Sequence, residues 1–165
     1  MRASTATTAT DVVRRVAALL PGRLAIDGPD AAGKTTLALA VATAAGVPVL
    51  HADDFLAPEP VRHADDSPEW YYAHAFDLAA LRAAVLAYDD VVVEGVFLLR
   101  PELDDLWTAR VLLDVTEEEQ ERRVLARDAW ASPEAMRERY DARYRPAYAA
   151  YRALVAPERT ADLLL

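Results

Sequence analysis

Short apolar runs alternate with helix-like stretches along most of the chain. The runs are too short for helices and mostly lack two-residue alternation, which predicts strands buried on both faces. The expected strands are RLAID (23–27), VPVLH (47–51), VVVEG (91–95), RVLLDV (110–115) and ADLLL (161–165).

Helical patterns fill the intervals between these runs. They cover 34–45 with Gly46 as C-cap, 77–88, 117–130 and about 133–155. The last helix is expected to begin at Ser132-Pro133, with serine as the N-cap. Alternating strands and helices predict an α/β fold of three layers, in which helices cover both faces of an about five-stranded parallel sheet.

Chain length and composition limit the functional classes. The 165 residues, 53% apolar and 27% charged, are typical of one soluble globular domain. The apolar runs are too short to span a membrane, and Arg14 and Arg15 interrupt the only signal-like segment. The absence of cysteine excludes thiolate metal sites, and the net charge of −9 argues against nucleic-acid binding. We expect a cytoplasmic protein with neither a membrane nor a nucleic-acid partner, and a homo-oligomer is compatible with the sequence.

The segment GPDAAGKT, from Gly28 to Thr35, matches the phosphate-loop pattern GxxxxGK[ST] between a strand and a helix. Loop amides and the helix N-terminus form a nest for phosphate. Lys34 is the only lysine in a chain with 18 basic residues, and its compact ammonium suits a phosphate nest better than a planar guanidinium does. The hydroxyl of Thr35 is a candidate ligand of Mg²⁺. The expected nucleotide contacts here are Gly28, Asp30, Ala31, Ala32, Gly33, Lys34, Thr35 and Thr36.

Two carboxylates stand where the second and third strands end. In parallel sheets, ligands bind at the carboxyl ends of the strands, and both Asp53 and Glu94 occupy such positions. Glu94 closes an apolar run, where a carboxylate is costly to bury without a partner. We expect Glu94 to hold Mg²⁺ together with Thr35; the alternative is a strand-end acid in contact with solvent.

Several further segments resemble the uridine kinase and phosphoribulokinase-like family of P-loop kinases. They are HADDF (51–55), AFDLAAL (75–81), VVVEGVFLL (91–99), RVLLDVTEEEQERRVLARD (110–128) and the tail that begins RYDARYRP. The resemblance extends from about residue 22 onward. It implies the three-layer P-loop NTPase fold for 22–165, with 1–21 as an N-terminal extension and helix. It also implies transfer of the γ-phosphoryl group of ATP, with Mg²⁺, to the hydroxyl of a small-molecule alcohol.

The resemblance also implies roles for individual residues. Asp53 corresponds to the catalytic base and acts with Lys34, and the neighbouring Asp54 is the alternative base or a contact of Mg²⁺ or substrate. Arg123 and Arg127, four residues apart on one helix face, would meet the ATP phosphates. The alternative for both arginines is pairing with the acids at 117–121 on a solvated helix.

The sequence gives least information about the residues that contact the phosphoryl acceptor. Candidate contacts are Asp54, Phe55, Tyr71, His74 and Arg100, although aromatic clusters are more often core and Arg100 is equally compatible with the surface. The three histidines are not spaced as a metal site.

Two segments depart from the nucleoside kinases. His74 stands in AHAFD where those enzymes carry an aspartate, and the lid-like segment DAWASPEAMRER lacks their glycine, although Arg137 or Arg139 could substitute there. A uridine- or cytidine-like nucleoside is the leading acceptor. The alternatives are another alcohol (a sugar, vitamin precursor or antibiotic) and a non-catalytic nucleotide-binding regulatory domain. A nucleoside monophosphate kinase is disfavoured, because the segment after the second strand offers Arg62 alone against several acids.

Overall fold

A computed structural model describes residues 8–127 and 132–165. It contains a sheet of five parallel strands: β1 (Arg23–Asp27), β2 (Val49–His51), β3 (Val91–Gly95), β4 (Ala109–Leu112) and β5 (Leu163–Leu164). The strand order is β2-β3-β1-β4-β5. The strands β1 and β3 lie in the middle of the sheet, so their carboxyl ends, at Asp27 and Gly95, are side by side.

The helices that surround the sheet are α1 (Ala9–Ala17), α2 (Lys34–Ala45), α3 (Glu59–Arg62), α4 (Pro68–His74), α5 (Leu78–Leu86), α6 (Glu117–Arg127), α7 (Pro133–Arg139) and α8 (Arg145–Val155). A π-helical turn, Tyr140–Tyr144, joins α7 to α8. Short 3-10 turns cover Ala52–Phe55, Pro101–Leu106 and Pro157–Arg159. No helix in these described ranges is long and apolar enough to cross a membrane.

Two large apolar clusters, one on each face of the sheet, form most of the core of the described residues. Alternate residues of β1 point to opposite faces, as strand geometry requires. Leu24 and Ile26 pack with α1 and α2, whereas Ala25 packs with side chains of α4, α5 and α8. This arrangement confirms the predicted three-layer α/β fold with a five-stranded parallel sheet.

The strands β1 and β3 and the helix α2 have the predicted bounds, and Gly46 caps α2 in the left-handed conformation. The outer strands are shorter than predicted. One reason is that Pro48, inside the predicted second strand, has no N–H for the ladder. The helix predicted over 117–130 corresponds to α6, which begins at Glu117 and is described as far as Arg127. Residues 128–130 lie outside the described residues.

The predicted helix over about 133–155 is present as one continuous helical segment, but its middle is π-helical rather than α-helical. Ser132 caps its start as expected, since its Oγ accepts a hydrogen bond from the amide of Ala135. The α-helix then gives way to the π-helical turn before Pro146, which lies in the first turn of α8. Proline removes one helical hydrogen bond and clashes with the preceding turn, which accounts for the wider turn before it.

Candidate active site

The phosphate loop joins the end of β1 to the start of α2. Gly28 and Gly33 have φ values of 155° and 97°, outside the range that other residues adopt readily. A Cβ on Gly28 would lie 2.7 Å from the carbonyl oxygen of Leu113. Position 28 therefore requires glycine on both conformational and steric grounds.

Lys34 turns back over the loop. Its side chain is buried, and Nζ donates a 2.7 Å hydrogen bond to the carbonyl oxygen of Pro29. This contact holds the ammonium within the ring of loop residues, where a phosphate would bind.

The helix α6 binds the outer side of the loop. Gln120 donates from Nε2 to the carbonyl oxygen of Asp30 at 3.0 Å. Arg123 donates from one terminal nitrogen to the carbonyl oxygens of Ala31 and Ala32, at 3.2 and 3.3 Å. Gln120 was missed in the sequence, although its i, i+3 spacing from Arg123 places both on one helix face.

Glu94 lies at the carboxyl end of β3 with two partners on one oxygen. Oε1 accepts a 3.1 Å hydrogen bond from the hydroxyl of Thr35, and Nδ1 of His51 lies 2.7 Å away. His51 and Glu94 are paired in register between β2 and β3, so the sheet itself sets this contact.

The donor set at Glu94 fits Mg²⁺. A hydroxyl and a carboxylate are hard oxygen ligands, and Mg²⁺ is ordinarily held by one or two carboxylates plus substrate phosphates. Within 8–127 and 132–165 there is no group of three or more His, Asp or Glu residues that could hold a metal on its own. A Mg²⁺ site that is completed by nucleotide phosphates does not require three protein ligands.

Asp53 lies in the 3-10 turn that follows β2. The turn packs closely on β3, where a Cβ on Gly95 would be 2.4 Å from the Cβ of Ala52. The side chain of Asp53 is open to the cleft, but partial desolvation there raises its pKa, and the negative charges of Asp30 and Glu94 add to the effect. Lys34 and Arg127 oppose the shift. A carboxylate with a raised pKa is a stronger proton acceptor.

Two adjoining cavities meet at Asp53. The P-loop cavity, about 310 Å³, is lined by residues of the phosphate loop together with Glu94, Gly95, Arg123 and others. The aromatic cavity, about 230 Å³, has six aromatic side chains in its wall: Tyr71, Phe76, Phe97, Tyr140, Tyr144 and Tyr148. Both linings include Asp30, Asp53, Val96 and Arg127.

A buried carboxylate that the sequence analysis missed lies beneath the loop. Asp27 is fully buried and accepts three hydrogen bonds, from the amides of Gly28 (2.6 Å) and Leu99 (3.0 Å) and from the hydroxyl of Tyr151 (2.6 Å). Burial raises its pKa, and these three donors oppose the rise. Like Glu94, Asp27 is an acid at the end of an apolar strand, and this is the signal in the sequence that indicates it.

The structure brings some predicted residues together and separates others. Arg123 and Arg127 line the P-loop cavity, and Tyr71 lines the aromatic cavity. The other four predicted acceptor contacts line neither cavity: Asp54, Phe55, His74 and Arg100.

Asp54 is exposed, and the other three side chains have local roles. Phe55 packs against the core, and the His74 ring stacks on Trp70 at 3.7 Å. Arg100 is not the surface residue that the sequence also allowed, because it is 2% exposed and donates to Glu102 and to the carbonyl oxygen of Tyr72. Its guanidinium is thus occupied within the protein.

Comparisons with known proteins identify the fold. No family model matches the sequence, and no curated protein matches it. A solved structure from Bacillus stearothermophilus, described as a possible uridine kinase, is 20% identical with a TM-score of 0.71, over 94% of this chain and 98% of that one. A candidate fructose transport system kinase from Silicibacter sp. TM1040 is 22% identical with a TM-score of 0.67, over 97% and 100%. Shikimate kinase from Bacteroides thetaiotaomicron is 16% identical with a TM-score of 0.55, over 87% and 85%.

At these identities the likeness concerns the fold. The chain has the three-layer α/β fold of P-loop kinases, and the resemblance drawn from the sequence is confirmed at that level.

Proposed function

We propose that this protein transfers the γ-phosphoryl group of ATP to the hydroxyl of a small molecule, in a reaction that depends on Mg²⁺. The observation that carries the proposal is the position of Asp53 in the wall shared by the P-loop cavity and the aromatic cavity. A nucleotide in the first cavity and an alcohol in the second would place the hydroxyl between the γ-phosphate and this carboxylate.

Each group at this junction has a task in phosphoryl transfer. Lys34 and the loop amides hold the phosphates, and Arg123 and Arg127 contribute positive charge from α6. Thr35 and Glu94 would hold Mg²⁺, which neutralises negative charge on the phosphates when it is bound. Asp53 accepts the proton of the acceptor hydroxyl as its oxygen bonds to the γ-phosphorus and the bond to ADP breaks.

The acceptor is assigned at the level of chemical class. The resemblance puts a uridine- or cytidine-like nucleoside first, and a sugar, vitamin precursor or antibiotic second. The names of two structural neighbours, a possible uridine kinase and a shikimate kinase, agree with a small alcohol. We place the reaction in the cytoplasm, where ATP is available.

The test is acceptor-dependent ADP release. Wild type and Lys34→Ala are compared with nucleosides and small alcohols, in the presence and absence of Mg²⁺, and ATP binding is measured in parallel. The proposal predicts release that requires an acceptor, Mg²⁺ and Lys34. ATP binding by the wild type without release on any acceptor would contradict it and favour a regulatory nucleotide-binding domain.

A further inference from the structure

The charges in the wall of the aromatic cavity are unevenly distributed. Its two acids, Asp30 and Asp53, both belong to the part of the lining shared with the P-loop cavity. Among residues 8–127 and 132–165, the remaining lining carries two arginines, Arg62 and Arg139, and no acid. In a chain of net charge −9, a stretch of wall to which the described residues contribute positive charges alone departs from the composition.

Arg62 ends α3 and is half-buried. Its Nε donates a 2.7 Å hydrogen bond to the carbonyl oxygen of Ala57, which fixes the guanidinium at the cavity wall. Among residues 8–127 and 132–165 it forms no ion pair, whereas the half-buried Arg143 and Arg145 pair with Asp66 and Asp141. A partly desolvated guanidinium without a counter-ion is unfavourable, and a bound anion would compensate it.

A second element, α7, contributes the other arginine of this wall, Arg139. The pKa of His63, the residue after Arg62, is lowered by burial and then by the charges of Arg143, Arg62 and Arg139, so the imidazole is neutral. Glu59 acts in the opposite direction but lines neither cavity. Arg62 of α3 and Arg139 of α7 thus line the same cavity and act on the same imidazole.

The aromatic side chains beside these arginines add no charge. Tyr71 lines the cavity, and its ring lies 5.5 Å from that of Tyr144, edge to face. Burial raises the pKa of Tyr71 to about 12, so the phenol is protonated at neutral pH. The cavity therefore combines a carboxylate at the junction with the P-loop cavity, a neutral aromatic wall and a positively charged end.

We propose that the phosphoryl acceptor is an alcohol that also carries an anionic group, a carboxylate or a phosphate, and that Arg62 and Arg139 bind this group while the hydroxyl faces Asp53. The inference rests on the proposed function and narrows its substrate class. It favours acidic or phosphorylated sugars and similar alcohols over a neutral nucleoside.

The experiment uses pairs of probes that differ in the anion. Gluconate is compared with glucose, and glycerol 3-phosphate with glycerol, so that the two pairs distinguish a carboxylate from a phosphate. ADP release is measured for wild type, Arg62→Gln, Arg62→Lys and the control Arg159→Gln, an exposed arginine that lines neither cavity. Binding of the same probes is measured by calorimetry with the protein saturated with Mg²⁺ and a non-hydrolysable ATP analogue.

The proposal predicts that the anionic member of at least one pair has the higher kcat/KM and affinity. Arg62→Gln should reduce both by roughly 10- to 100-fold for that probe, mainly through KM, as expected for loss of a charged hydrogen bond. Arg62→Lys should retain part of the preference, because it keeps the charge without the planar fork. Arg159→Gln should match wild type.

Four other results are informative. Equal or better use of the neutral probes, or equal loss on both members of a pair in Arg62→Gln, would overturn the anionic-acceptor proposal. The absence of a binding preference for either anion would also overturn it. Arg62-dependent binding of an anionic probe without ADP release would support the anion site and contradict the kinase function.

Discussion

The hydroxyl of Tyr151 donates a 2.6 Å hydrogen bond to Oδ2 of Asp27, linking two residues that are 124 positions apart. Asp27 in turn accepts from the amide of Gly28, the first residue of the phosphate loop. The last long helix of the chain is therefore tied through one buried carboxylate to the start of the nucleotide site.

Removal of this hydroxyl should destabilise the protein in a pH-dependent way. Burial raises the folded-state pKa of Asp27 above its ordinary 3.8. The contribution of Asp27 to folding stability is therefore complete below pH 3.8 and is lost as pH rises through the folded-state pKa. Tyr151→Phe removes a donor to the ionised form and raises this pKa further. We expect a loss of about 1–3 kcal/mol at pH 7 and a smaller loss near pH 3.5, measured by urea unfolding.

The control is Tyr148→Phe, one helical turn earlier, whose hydroxyl forms no hydrogen bond with the described residues. It should change the free energy of unfolding little at either pH. Equal destabilisation of the two variants would show that the Asp27 contact does not carry the effect.

Two adjacent arginines on α6 differ in whether they contact the phosphate loop, so their variants distinguish that contact from surface ion pairing. Arg122 and Arg123 both bind Glu119, but only Arg123 also donates to loop carbonyl oxygens. Arg123→Gln should weaken ATP binding by about 10-fold, the effect of one charged hydrogen bond, whereas Arg122→Gln should stay within about 2-fold. Fluorescent-nucleotide titration measures both, and similar losses in both would refute a role specific to Arg123.

Glu94 should control the Mg²⁺ requirement. Glu94→Gln keeps an oxygen that can accept from Thr35 but removes the negative charge, so we expect the Mg²⁺ concentration for half-maximal ADP release to rise about 10-fold. Nucleotide binding in EDTA should change little. An unchanged Mg²⁺ dependence would place the metal elsewhere.

The rate should follow the ionisation of Asp53. Its pKa is raised above 3.8, so the proportion of the active, deprotonated base increases as pH rises through that raised value. Asp30→Asn removes a negative charge that raises this pKa and should shift the acid limb of the kcat profile to lower pH. Asp89→Asn, an exposed acid that lines neither cavity, should leave the limb in place. A limb that moves in neither variant argues against Asp53 as the titrating group.

The parts of the fold that are set locally could be predicted from the sequence. The bounds of β1, α2 and β3 follow from continuous apolar runs, turn glycines and one glycine cap. Even so, α3 and α4 were missed. Ser67-Pro68-Glu69 has the same capping pattern as Ser132-Pro133-Glu134, and Ser67 accepts a hydrogen bond from the amide of Trp70.

Long-range contacts account for most of what could not be predicted. Nothing near Arg100 in the sequence indicates that its guanidinium lies 4.6 Å from the centre of the Tyr72 ring. Likewise, the partner of Asp27 depends on where the last helix packs. The aromatic cavity is assembled from distant segments, so its positive end could not be inferred from Arg62 alone.

Single-turnover phosphoryl transfer by Asp53→Asn, measured beside Asp54→Asn, tests whether Asp53 is the base at the junction of the two cavities. Asp54 is adjacent in sequence but lines neither cavity. We predict that Asp53→Asn binds ATP normally and loses roughly 10²- to 10⁴-fold in rate, whereas Asp54→Asn stays close to wild type. Full activity in Asp53→Asn, or the larger loss in Asp54→Asn, would contradict the assignment.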